Sequence, residues 1–438
     1  MGMIDNNQEL HGKRVDGIMV YSPQSAQQLN TDYIVLMSDA AIAMREQLVQ
    51  MGYSQGKIIH YLDFFALFPK EVKRYGVDYR DDAKDRKRLL IVSVPLFFSG
   101  VPIVAFTTAI AAKKLGYFVD IAASWGDEKY IEEAARYGIN ILLCEELGSL
   151  YLEDIAWMKR YDVILVNAIP MIRLAIKIAE IHKVMVWIHE SLDEYERIKF
   201  WKEEIDVGIQ NKRIVFYAPS KRARNHFFQW FGEKKEVFIL PLGVMDKRVE
   251  NPFRGETFVY GLIGGFMKGK GQDIFLSAIE RNPSVINDKV SFVLVGRNFV
   301  SDYGNAITER SNAISNCFIL GEKTNQEIEK IYQMLDVLVV ASRAETVSMV
   351  AIEAMMMGKI CIVSDQTGIA EYIEHGKNGF IFQSENDKEL SAIMLWCYQN
   401  RGKLDVIRKA ARETYEQNFS MDRFQANLQD IFQSGNVS

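Results

Sequence analysis

Continuous apolar runs, most of them separated by stretches of helical length, recur along this chain and restrict what it can fold into. The runs lie at 89–94, 118–123, 163–166, 184–188, 215–217 and 237–240, and again at 258–263, 291–295, 336–340 and 360–363. A strand that is apolar at every position, not at alternate ones, is buried on both faces, which is the condition of a parallel sheet covered by helices. Two such series in tandem predict an α/β protein of two doubly wound, Rossmann-like lobes. Ligands of such sheets bind at the carboxyl ends of the strands, so the cleft between the lobes is the expected site. The spacing places the lobes at 85–248 and 249–420, with a closing helix at 421–438.

Residues 1–84 read as a small, partial Rossmann-like α/β extension. The run 32–38 suits a buried strand, 40–51 a helix, Gly52 a turn, and Ile58 and Ile59 a second strand. Ile4-Asp5-Asn6-Asn7 resembles the end of a second strand, and no glycine-rich phosphate turn precedes it. The charge run 80–88, Arg-Asp-Asp-Ala-Lys-Asp-Arg-Lys-Arg, reads as a solvated linker.

Composition narrows the function classes. Apolar residues make up 48% and charged residues 25%, so the chain is globular and not disordered. A net charge of -5 gives no general drive toward nucleic acid. Cys144, Cys317, Cys361 and Cys397 lack any metal-ligand spacing and read as buried thiols of a reducing compartment. The polar start and the lack of a long apolar run predict a cytoplasmic protein, with attachment to the inner membrane face left open. That option rests on 221–231, where Lys221, Arg222 and Arg224 mix with Phe227, Phe228, Trp230 and Phe231. Such a helix either buries an aromatic face or docks on anionic lipid.

Three segments carry chemistry. In 341–358, the strand at 336–340 leads into a turn holding Glu345 and a helix starting near Ser348. Backbone N–H groups at 347–349 would then face the cleft and attract an anion. Glu353 follows eight residues after Glu345, among Ile352, Ala354 and Met355, where a carboxylate needs a partner. A carboxylate accepts two hydroxyl hydrogen bonds at once and so suits the diols of a sugar or ribose. The second segment is Gly264-Gly265-Phe266-Met267-Lys268-Gly269-Lys270-Gly271, directly after a strand. Glycines let backbone approach a phosphate, and Lys268 and Lys270 bring charge. The third is Trp187-Ile188-His189-Glu190-Ser191 at another strand end. No second histidine follows Glu190 within a helical turn, so a zinc-protease motif is excluded.

The stretch 345–382 resembles the donor-binding signature of retaining glycosyltransferases of the GT-B fold, family four (glycosyl transferases group 1). The shared pattern is Glu, seven residues, Glu, then Ala-Met, a glycine, a short strand and a small polar loop, continued here by 364–371 and 376–379. The resemblance extends over 89–432. It implies a nucleotide-diphosphate sugar as donor and a saccharide or lipid-linked acceptor, in polysaccharide biosynthesis. By the same resemblance no cofactor or metal is expected; no Asp-x-Asp metal signature occurs in the chain. Glu353 would hold the donor ribose and Glu345 the transferred sugar. Val347 and Ser348 would border the phosphate–sugar junction, and Gly264, Gly265, Lys268 and Lys270 the diphosphate. His189 would reach the sugar from the facing lobe. Ser99-Gly100-Val101 and Glu190 would lie on the acceptor side, and Leu242-Gly243-Val244 would enter the hinge. His189, Glu345 and Lys270 are thus the candidate catalytic residues. One departure stands out: the family's arginine, five residues before the position of Lys270, is Gly265 here, with Lys268 as the candidate replacement. The alternative is a catalytically silent protein of the same fold that stabilises a partner transferase. A nucleotide-dependent oxidoreductase would need a glycine fingerprint where this chain has Val94-Pro95-Leu96-Phe97-Phe98.

Overall fold

A computed structural model describes residues 1–38, 40–66, 68, 71–77, 86–98, 100–149, 154–233, 235–248, 257–281 and 289–434. Most of the expected linker (80–85), Ser99, and the division expected between 248 and 249 on its far side lie outside the described residues.

The extension holds β1 (Met3–Ile4), β2 (Arg14–Val15), β3 (Ile18–Tyr21), β4 (Ile34–Leu36) and β5 (Ile58–His60). β6 (Lys73–Tyr75), β7 (Arg88–Val92), β8 (Phe118–Ala123), β9 (Asn140–Leu143), β10 (Val163–Val166), β11 (Val184–Trp187), β12 (Ile214–Ala218) and β13 (Val237–Ile239) form the first large sheet, in the order β13-β12-β11-β10-β7-β8-β9-β6. The second is built from β14 (Phe258–Ile263), β15 (Val290–Val295), β16 (Cys317–Gly321), β17 (Val337–Val340), β18 (Ile360–Ser364) and β19 (Phe380–Phe382), in the order β16-β15-β14-β17-β18-β19. Both sheets reverse direction of growth between their first and fourth parallel strands, at β7/β10 and β14/β17. That switch point is where a crevice opens at the carboxyl ends.

The apolar runs are explained by the packing on both faces. In β7, Leu89 and Ile91 enter one core while Leu90 and Val92 enter another. β17 does the same, with Val337 and Val339 on one side and Leu338 and Val340 on the other. The helix Met421–Gln433 returns to the first lobe, where Met421, Phe424, Leu428 and Phe432 join the core beneath Trp187. Phe424 stacks on Trp187 at 5.7 Å between ring centroids. The chain crosses it at Gly243, where a Cβ would stand 2.4 Å from the Phe424 ring.

The extension differs from the sequence expectation in two ways. Ile4 does not end a second strand of one sheet. β1 pairs with β3 in a small three-stranded sheet of its own, and β4 pairs with β5 in a separate parallel pair. The block is also tied to the first lobe. Asp63 pairs with Arg173 at 2.8 Å and accepts from Trp201 Nε1 at 2.9 Å, and His60 packs on Trp201. Ahead of the expected division at 84/85, β6 adds antiparallel to β9, so the lobe's sheet begins at Lys73. Polar Lys73 and Arg74 hid this strand from pattern reading. Arg74 is placed by Asp120, a fully buried carboxylate 3.1 Å away that Asn140 and Tyr161 also hydrogen-bond.

Arg74→Ala would leave Asp120 buried without its cation. A stability loss of about 3 kcal/mol is expected in urea denaturation, largely recovered in Arg74→Ala/Asp120→Asn. An unchanged midpoint for the single variant would show that Asn140 and Tyr161 suffice.

Candidate active site

On the donor side, β14 ends in the turn at Gly264 and Gly265, and a single 3-10 turn, Lys268–Lys270, follows. Gly271 closes it with φ +71, and a Cβ there would lie 2.1 Å from the carbonyl oxygen of Ala341. Only glycine allows both the left-handed backbone and that approach. The turn after β14 is thereby pressed against the turn after β17, which joins Lys270 to Glu345. Lys270 Nζ lies 2.9 Å from Glu345 Oε1, and Ser342 Oγ donates to Oε2 at 2.7 Å.

The following helix is Met349–Met356. No side chain caps its start, and among the described residues the buried Ser348 Oγ has no hydrogen-bond partner. Glu353 projects from this helix and finds the partner its apolar neighbours demand: Tyr332 donates to its Oε2 at 2.7 Å. Burial raises the Glu353 pKa, and the Tyr332 hydrogen bond opposes the rise.

On the facing lobe, His189 lies two residues beyond the end of β11 and is buried beside Trp187. Its Nε2 lies 3.0 Å from Asn167 Oδ1, while Asn167 Nδ2 donates to the carbonyl of Val101 at 3.0 Å. That pairing assigns the proton to Nε2. Desolvation pushes the His189 pKa down to about 3, so the ring is neutral at physiological pH and is no proton reservoir. Asn167 carries no motif. Its signal was a lone polar residue ending the apolar strand β10. Gly100, with φ +34, opens the helix Gly100–Lys114, and Val101 follows it. Glu190 is buried. Desolvation pushes its pKa up to about 7 against backbone donors that include His189 N–H at 2.8 Å.

Thr346 joins the two sides. Its carbonyl accepts from Ser220 Oγ at 2.6 Å and its hydroxyl donates to the carbonyl of His189. Val347 and Met349 pack against the first lobe's core. Glu371 accepts from the backbone N–H groups of Lys221 and Arg222 at 3.0 and 2.8 Å. Glu345 and His189 therefore sit on opposite sides of one bridging residue. The helix Lys221–Phe231 turns Ala223, His226, Phe227 and Phe231 inward, so its aromatic face is the buried one of the two readings and not a lipid-docking surface. Lys268 is exposed on its turn, and Gly265 lies under the ring of Phe299. Among the described residues, no three His, Cys, Asp or Glu side chains gather to hold a metal, and no helix is long and apolar enough to cross a membrane.

Residues 245–414 match the profile of the family described as glycosyl transferases group 1, and residues 1–59 match one described as C2185-like, N-terminal. The match covers most of the second lobe, which is similar to glycosyl transferases group 1 domains. Similar curated proteins include an uncharacterized glycosyltransferase of Methanocaldococcus jannaschii (24% identical over 239 residues, 54% of this chain and 57% of that one) and spore coat protein SA of Bacillus subtilis (28% over 207 residues, 43% and 53%). The chain thus spans a little over half the length of these two relatives. The N,N'-diacetylbacillosaminyl-diphospho-undecaprenol alpha-1,3-N-acetylgalactosaminyltransferase of Campylobacter jejuni is 25% identical over 320 residues, 72% of this chain and 74% of that one. Among solved structures, Anabaena HepE in complex with UDP and glucose aligns at TM-score 0.65 and 17% identity, over 80% of this chain and 100% of its own. The two-lobed arrangement is the GT-B fold.

Glu190 gives this site a pH signature. Its ordinary value is 4.5 and its folded value about 7. Between those values the folded state keeps a proton that the unfolded chain has lost, so stability falls as pH rises through this window. Glu190→Gln should be free of that fall, worth about 3 kcal/mol, in urea denaturation at pH 5 and pH 8. Parallel losses in both proteins would mean that the backbone donors keep Glu190 ionised.

Proposed function

We propose that the chain transfers a sugar from a nucleotide-diphosphate sugar to a saccharide or lipid-linked acceptor, with retention of configuration and without a metal. The observation that carries this reading is the Thr346 bridge. It sets Glu345, with Lys270 and the uncapped helix start, across the cleft from His189. The HepE complex with UDP and glucose and the lipid-linked acceptor named for the Campylobacter relative support the same substrate classes. The first lobe, 85–248 with its β6 edge, would serve the acceptor, and 249–420 the donor.

In this reading Glu353 accepts hydrogen bonds from the donor ribose. Gly264, Gly265 and Lys270 receive the diphosphate, aided by the N–H groups near Val347 and Ser348. Glu345 holds the transferred sugar, with neutral His189 facing it, while Gly100, Val101 and Glu190 border the acceptor. The acceptor oxygen attacks the anomeric carbon from the face the nucleotide leaves. As the bond to the phosphate oxygen breaks, that phosphate takes the acceptor's proton. The negative charge growing on the diphosphate is met by Lys270 and the helix start. Burial makes an unbound Glu353 costly to ionise, so ribose hydroxyls would gain a carboxylate that water does not satisfy.

Glu353→Ala should weaken binding of free nucleoside diphosphate about 10- to 150-fold by isothermal titration. Glu345→Ala should leave that affinity unchanged or higher, because it releases Lys270, and should depress turnover in initial rates. Equal losses of affinity in both variants would contradict this division. Activity should persist in EDTA; loss to background with recovery on adding manganese would overturn the metal-free reaction.

A further inference from the structure

The turn at Gly264 and Gly265 is short of uncompensated positive charge. Lys270 is already paired with Glu345 at 2.9 Å. Arg343 is held by Asp273 at 2.8 Å and by Glu385. A diphosphate leaving group carries more charge than the half-neutralised Lys270 and the helix start oppose.

One guanidinium beside the turn is unclaimed. Arg297 follows β15 and its carbonyl accepts the N–H of Phe266 at 2.9 Å. Contact is close because Gly296 has no side chain: a Cβ there would sit 2.1 Å from the carbonyl oxygen of Gly264. The Arg297 guanidinium rests on the ring of Phe299 at 5.4 Å, and among the described residues no carboxylate pairs with it. Phe299 is 50% exposed and joins no core, so its ring is open to solvent beside the turn. That ring also lies over Gly265, where a Cβ would approach it to 2.8 Å. Gly265 therefore makes room for the Phe299 ring, and that ring holds the guanidinium of a residue whose backbone already borders the turn. Lys268, by contrast, is exposed, and nothing among the described residues holds its ammonium.

We propose that Arg297, stacked on Phe299 above Gly265, is a second cation for the donor diphosphate. This rests on the nucleotide-sugar reading above. A guanidinium held on a ring is partly pre-ordered and offers a planar pair of donors to phosphate oxygens, which a free lysine does not.

The test is isothermal titration of UDP and GDP, with uridine and guanosine as phosphate-free controls, into wild type, Arg297→Ala, Arg297→Lys, Phe299→Ala, Lys268→Ala and Lys270→Ala. Arg297 and Phe299 are exposed, and urea denaturation verifies that each variant folds. For the diphosphate that wild type binds, Arg297→Ala should be about tenfold weaker or more. Arg297→Lys should fall between, Phe299→Ala should lose part, and nucleoside affinity should not change. Unaltered affinity in Arg297→Ala, with loss in Lys270→Ala, would overturn the proposal and leave the donor reading standing. The same pattern with loss in Lys268→Ala would assign the second charge to Lys268 and likewise overturn it. No binding of either diphosphate by wild type would remove both.

Discussion

Thr346 hydrogen-bonds the first lobe in two directions, and the rest of the cleft is arranged around it. Its carbonyl takes the Ser220 hydroxyl and its own hydroxyl reaches the carbonyl of His189. The carbonyl is also so close to Gly368 that a Cβ there would stand 1.8 Å away. Three segments thus meet at one residue: the turn after β17, the loop after β18, and the strand ends of the first lobe. Because these are turns that follow strands, their positions are inherited from two sheets. The site is therefore on loops, but on loops that rigid elements fix.

Electrostatics follow from this closeness. Glu345 is neutralised in advance by Lys270 and Ser342, Glu353 is half-shielded behind Tyr332, and His189 is kept neutral by burial. None of these groups is poised as a nucleophile or a strong base. The arrangement suits orienting hydroxyls and stabilising a departing diphosphate, which is the chemistry of glycosyl transfer assisted by its own leaving group.

Much of this was readable in the amino-acid order. The apolar runs marked the central strands because burial on both faces forbids alternation, and β8, β10 and β14 fall where the runs lie. What escaped lay at edges. β6, β16 and β19 are short or carry polar and exposed positions, since an edge strand has a neighbour on one side only, and the four-residue β9 lies one place in, beside β6. The charged 80–88 run suggested that everything before it was separate, yet Arg74 reaches into the first lobe to meet Asp120. Within the site, the glutamates and Lys270 stood out by spacing. Asn167, Tyr332 and Thr346 did not, because each acts through a partner far along the chain, and only folding brings the two together. The mixed helix at Lys221–Phe231 left two readings open, a buried aromatic face or a lipid-docking one, and the packing turned its aromatic residues inward.

The most direct measurement is a diffraction structure of the protein with a bound nucleoside diphosphate. The account predicts ribose hydroxyls on the Glu353 carboxylate and the terminal phosphate between Lys270 and the backbone N–H groups at 347–349, on the His189 side of Glu345. A nucleotide seated elsewhere, or one whose phosphates point away from the Thr346 bridge, would contradict it.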